Sequence, residues 1–324
     1  MVAGDSSGAL EQIRTHLAAF PRDAMVLALC VGVFGLFGFS GRADRERELA
    51  DFLAPLAAHY GDDWWFLAVL AFAQVEVGDV DAARRNIDRA LAGNPVNANG
   101  AHIRAHVDYE AGEDAAGLAW LKGWHTGYAK TGSMHCHLAW HLALWNLDRG
   151  DRDAAWRIYA ADVHPGGAWG PPLNVATDAA SFLLRAELAG EPRPEQYWRD
   201  LAAWASAAYP APGIAFVDVH VALALAMAGS EAALAERIAG ARGPAADLAV
   251  ILAQAFRDFA NARWGAAVDA LEPACAVHAR IGGSRAQRDL LDYTLLAAAR
   301  RAGRPARRSL DRPRRASRAE PPAA

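Results

Sequence analysis

Cysteine is scarce in this chain of 324 residues: only Cys30, Cys136 and Cys275 occur. They are odd in number, far apart and form no CxxC pair. That argues against a disulfide framework and fits a reducing compartment, the cytoplasm. A secretory leader is not apparent either, since Met1 to Gly8 has neither a basic start nor an apolar stretch. One apolar run stands out, Ala24 to Ser40, reading AMVLALCVGVFGLFGFS. It is shorter than the roughly 20 residues a membrane span needs and is interrupted by Gly32, Gly35 and Gly38. The run reads as a buried core helix, and no membrane partner is expected. Three catalytic signatures are missing as well: the GxSxG elbow, HExxH and the GxxxxGK[ST] phosphate cradle. Val and Ile rarely alternate with polar residues, so sheet is not expected.

Charge of one sign is not in large excess, at -4 overall, but it is unevenly placed. Residues 300–324 hold nine arginines and two acids, leaving 24 basic against 35 acidic residues elsewhere. The body is acidic. The end, 306–324, with Pro313, Pro321 and Pro322, reads as a disordered basic tail. A solvated tail is favoured over a nucleic-acid contact, and no nucleic acid is expected as a partner.

What the chain has in abundance is Ala and Leu, both strong helix formers. Gly-Asp-like turns punctuate it at Gly61, Gly78, Gly112, Gly150, Gly190 and Gly229. Each Gly can close one helix in a left-handed cap, and the acid or hydroxyl that follows can open the next. Gly78 and Gly112 are 34 residues apart, the tetratricopeptide period; the later intervals are 38, 40 and 39. The clearest unit is Trp64 to Pro95, with Leu67, Leu70 and Ala71 on a first helix and Ala83, Ile87 and Ala90 on a second. Such a hairpin cannot bury its apolar face alone and must stack on neighbours. The expected fold is all-α, a right-handed α-α superhelix of tetratricopeptide-like hairpins with about fourteen to sixteen helices. Residues 1–305 would form a single repeat domain.

Five strings carry a family resemblance: AHIRAHVDYEAGE (101–113), HLAWHLALWNLDRGDRDAAWRIY (137–159), DAASFLLRAEL (178–188), FVDVH (216–220) and IGGSRAQRD (281–289). Together, in this order, they resemble the tetratricopeptide repeat protein 38 family over about Leu10 to Leu310. The resemblance implies a helical repeat fold and no settled activity. It also implies roughly a hundred residues of repeat before Leu10 that this chain does not carry. The first helix would then expose an apolar face, through which a homodimer could form. An acid common in the family three residues after His106 is here Tyr109, with Glu110 beside it.

The polar residues that stand out are histidines. His102 and His106, and likewise His137 and His141, are four apart, one helical turn, which suits two ligands on one metal. With each turn glycine set as position 15 of its repeat, His102 and His106 fall at 5 and 9 of one first helix. His137 and His141 fall at 2 and 6 of the next, and Asp178 and His220 at 3 and 6 of later ones. Tetratricopeptide repeats turn positions near 2, 5 and 9 toward their concave surface, so these residues would line a groove with Arg185 and Asp218 nearby. Asp218 and His220 are two apart and could share a site only at an irregular helix start. Three readings stay open: packed polar groups, a groove for a peptide, protein or small-molecule ligand, and a metal or acid–base site. The leading function is a cytoplasmic binding or scaffold protein. The alternative is a metal-dependent, hydrolase-like enzyme using His102, His106, His137 and His141 on a divalent ion such as zinc, with Asp178 or Asp218 as carboxylate ligand or base.

His16, His59, His125, His164 and His278 lack paired spacing and read as surface or packing residues. Cys136 reads as packing too. In the 281–289 turn, Ser284 is expected to open the last helix. Gln287, Arg288 and Asp289 would reach the groove or lock the last hairpin, and the bare helix start offers a weak anion site beside Arg285 or Arg288.

Overall fold

The computed structural model describes residues 6–305, so the expected basic tail, 306–324, lies outside the described residues. All regular structure among them is helical. Fourteen α-helices of nine residues or more lie within the expected number. The chain gathers into two compact units: residues up to Gly117 with Ala279–Ala286, and Leu118–His278 with the chain from Gln287 onward.

Unit one holds α1 (Ser6–Ala19), α2 (Ala24–Ala28), α3 (Arg45–Leu53), α4 (Ala57–Tyr60), α5 (Trp64–Glu76), α6 (Val80–Gly93) and α7 (Ala98–Ala111). Asp63 opens α5 by accepting from the Trp65 and Phe66 amides, and Asp79 opens α6 by accepting from the Ala82 amide. On α6 only Ala83, Ile87 and Ala90 are buried, at i, i+4 and i+7, a single stripe laid against α5 and α7. Arg84 of α6 pairs with the buried Asp108 of α7, which Arg104 also holds at 3.0 Å. These contacts fix the rotation of α7 and with it the direction of its histidines.

The expected core helix over 24–40 is not formed. Only α2 is helical; Gly32 turns the chain at φ +76°, and a Cβ at Gly35 would run into the Val31 carbonyl at 2.5 Å. Leu27, Cys30, Leu36 and Phe37 are buried while Met25 is 83% exposed. The stripe Leu10, Ile13 and Leu17 of α1 is not an exposed face: it packs in the core with Leu27, Leu53 and Phe52.

The segment Ala279–Ala286 is fastened to this unit by buried polar contacts. Arg45 donates to the Ala279 carbonyl at 2.7 Å and to the Gly283 carbonyl. Arg285 donates its amide to the Glu76 carboxylate at 2.9 Å and its guanidinium to the Glu76 carbonyl.

α8 (Asp114–Thr126) leads into unit two, which holds α9 (His135–Asp148), α10 (Arg152–Ile158), α11 (Pro172–Leu188), α12 (Glu195–Ala208), α13 (Ala215–Met227), α14 (Glu231–Ala239), α15 (Ala246–Ala260), α16 (Trp264–Ala276) and most of α17 (Arg285–Arg301). α9 packs on α11, α11 on α13 and α13 on α15, and each has a partner helix in α10, α12, α14 and α16. The two sets differ in sequence for this reason. Every residue of α13, AFVDVHVALALAM, is buried, whereas α12 buries only Trp198, Leu201, Ala202 and Ala205. A helix apolar all round belongs inside, and one with an i, i+3, i+4, i+7 stripe belongs on a surface. The turn glycines behave as the sequence implies: Gly78, Gly112, Gly150, Gly190 and Gly229 all have φ between +69° and +96°. Asp151 opens α10 through the Ala154 amide at 3.0 Å.

Candidate metal centre

All eight residues singled out from the sequence are buried, none more than 7% exposed. On α7, Nε2 of His106 meets Nε2 of His102 at 2.8 Å, so one imidazole donates to the other. Phe72 of α5 packs on both, with ring centroids 5.6 and 5.2 Å away.

On α9, the His137 and His141 rings are 5.0 Å apart and nearly perpendicular. Trp140 stacks on His137 at 5.2 Å. Nδ1 of His137 donates to the Asp178 carboxylate of α11 at 2.7 Å. Burial pushes the Asp178 carboxyl up from its ordinary range, and the facing His137 opposes this. Asn174, Asp178, Ser181 and Arg185 recur on α11 at steps of four, three and four, one buried polar stripe. Arg185 carries its guanidinium over the Trp140 and Tyr293 rings, at 5.8 and 5.2 Å.

Each unit thus carries one buried pair of imidazoles a helical turn apart, His102 with His106 and His137 with His141. Imidazole donors suit zinc, copper, iron and nickel and are poor for magnesium or calcium.

Asp218 and His220 do not share a site. α13 is regular across both, and they turn to different partners. Asp218 accepts from Arg237 at 2.8 Å and from the Gly213 amide at 2.9 Å. His220 gives Nδ1 to the Phe216 carbonyl at 2.7 Å, and burial lowers its pKa to about 4. Asp218 is thus tied into the start of α13. The weak anion site before α17 is filled from within the chain, since the Glu76 carboxylate already sits on the Arg285 amide. Cys136 stays a packing residue: a Cβ on Gly170 would strike its sulfur, and burial pushes its thiol up, away from a thiolate.

Two features escaped sequence reasoning. His125 and His135 pair across the 126–134 loop with ring centroids 4.4 Å apart, although their spacing of ten carries no helical signal. His278 is held between Asp292 and Arg288, each at 3.3 Å. Only the run of buried polar residues at the start of α17 could have hinted at that contact. No helix among the described residues is long and apolar enough to cross a membrane. Compared with known proteins, the chain matches no family model and no solved structure.

Proposed function

We propose that this protein is a tetratricopeptide-like helical repeat protein, akin to the tetratricopeptide repeat protein 38 family, that binds a divalent transition-metal ion through His102, His106, His137 and His141. The observation that supports this reading is that both histidine pairs, each one helical turn apart, are buried within their own unit. Burial favours an enclosed ion over an open peptide groove, because a groove would keep its contact residues accessible. Buried histidine pairs also need a reason to be there. Neutral imidazoles lose hydration on burial, and a cation repays that loss by taking their lone pairs. The ion would replace the proton now shared by His102 and His106, so both would present Nε2 lone pairs.

Chelator-free purification followed by elemental analysis tests the reading. About one zinc, copper, iron or nickel ion per chain is expected, falling to near zero in His102→Ala and in His141→Ala. A metal content far below one per chain, unmoved by either change, would sink it.

A further inference from the structure

Unit two also contains a pair of histidines with no part in the reading above. His135 opens α9 two residues before His137, and a helix turns residues two apart by about 200°. His135 therefore faces away from His137 and meets His125, the penultimate residue of α8. We propose that His125 and His135 form a separate metal site, in which Nε2 of His125 and Nδ1 of His135 hold one late first-row transition-metal ion of the nickel or copper kind. The proposal goes beyond the reading above and does not depend on it.

Three observations converge. First, the rings touch, with centroids 4.4 Å apart, yet Nε2 of His125 and Nδ1 of His135 are buried and have no hydrogen-bond partner among the described residues. His135 as a whole is 6% exposed. A buried polar atom that bonds nothing loses its hydration without recompense, and an ion taking both lone pairs restores it. Second, the spacing fits. With metal–nitrogen bonds of about 2.0–2.1 Å, two imidazoles on one ion have centroids roughly 4.5 Å apart at 90° and roughly 5.2 Å apart at the tetrahedral angle. The observed 4.4 Å matches the right angle, which belongs to square-planar and octahedral nickel and copper rather than to tetrahedral zinc. Third, the charges suit a cation. Burial lowers the pKa of both histidines, so both are neutral at neutral pH, the form that binds metal. Asp162 favours positive charge at either ring. It stands on a π-helical turn, Tyr159–Val163, an irregularity common at functional sites. The nearby cation, Lys130, is drawn off by Asp162 at 3.1 Å and by the Ala161 carbonyl at 2.9 Å.

The frame of the site is braced as well. Tyr128 stacks 6.4 Å from the His135 ring, and its hydroxyl accepts from the Met134 amide at 3.4 Å, across the loop that joins the two histidines. With two protein ligands and water in the remaining positions, the site holds its ion more weakly than a four-ligand one. It is filled by added metal rather than by carry-over through purification.

Crystals of the full chain soaked in nickel chloride and measured at the nickel absorption edge read the site atom by atom. The expected result is an anomalous peak about 2.1 Å from both Nε2 of His125 and Nδ1 of His135. A peak bonded to one of the two nitrogens alone, an ordered water in its place, or no density there overturns the proposal. In solution, nickel calorimetry of the wild-type chain should show a binding step that His125→Gln and His135→Gln each weaken by at least about 10–100-fold, since losing even an outer partner of a ligand costs that much. His59→Gln, at an exposed histidine, should retain the step. Unchanged nickel binding in folded His125→Gln and His135→Gln contradicts the site. Nickel at His125 and His135 with none at His102 or His137 removes the earlier reading and leaves this one standing, and the converse map does the opposite.

Discussion

The two histidine pairs share a spacing, and α7 and α9 share a length of 14 residues. Their surroundings are nonetheless unlike. On α7 the rings bond to each other, Nε2 to Nε2, under the edge of Phe72. On α9 the ring centroids lie 5.0 Å apart against 4.5 Å on α7, and His137 is tied sideways to Asp178 beneath Trp140. Four-residue spacing therefore sets which helical face carries two imidazoles, while the surroundings decide what each ring bonds to. One pair is organised from within its own helix and the other by a carboxylate 41 residues away.

Truncating the aromatic lid of each pair probes this difference most strongly. Trp140→Ala and Phe72→Ala should each cost about 3–5 kcal/mol in chemical denaturation. Trp140, fully buried, belongs at the upper end and Phe72, at 7% exposure, at the lower. A larger loss at Phe72 would reverse the order. Acid is the next lever. His220, beside the α11 stripe, is neutral when folded, with a pKa of about 4 against an ordinary 6.5. The unfolded chain therefore binds the proton first. Stability is unaffected above pH 6.5, declines as the pH falls toward 4, and levels off below that, for a loss of about 3 kcal/mol. Denaturation midpoints across pH should show this decline in wild type and a flatter profile in His220→Gln. An equally steep profile in the variant would assign the acid sensitivity elsewhere. The smallest effect should come from the caps, one in each unit. Asp79→Ala and Asp151→Ala should each lower stability by about 1 kcal/mol, read as a modest drop in melting temperature. Unequal costs would mean that one turn is held by something other than its cap.

Much of the helical skeleton was legible because its signals are local. Left-handed glycines, Asp caps and the Ala83, Ile87, Ala90 stripe each depend on residues a few positions apart. The run Ala24–Ser40 misled because mean hydropathy says nothing of where backbone atoms collide, and Gly35 is a collision point. The histidines were found because a one-turn repeat of a rare polar residue is visible in one dimension. Their orientation was not, because the partner of His137 is set by how α9 and α11 pack. Asp218 and His220 could share a site only at an irregular helix start; α13 is regular there, and the partner of Asp218, Arg237, lies 19 residues on, beyond any local signal.

Unit one is discontinuous, closed by Arg45 and Glu76 upon a segment that follows Gly117 only after some 160 intervening residues. Translation at about 5–20 residues per second would deliver that segment roughly ten to thirty seconds after the seven helices it fastens. During that interval the nascent chain would carry a buried-to-be arginine and glutamate without their final backbone partners. Synthesis order, and not only thermodynamics, would then set when this half of the molecule matures, and a premature stop before residue 279 would leave it permanently unclasped.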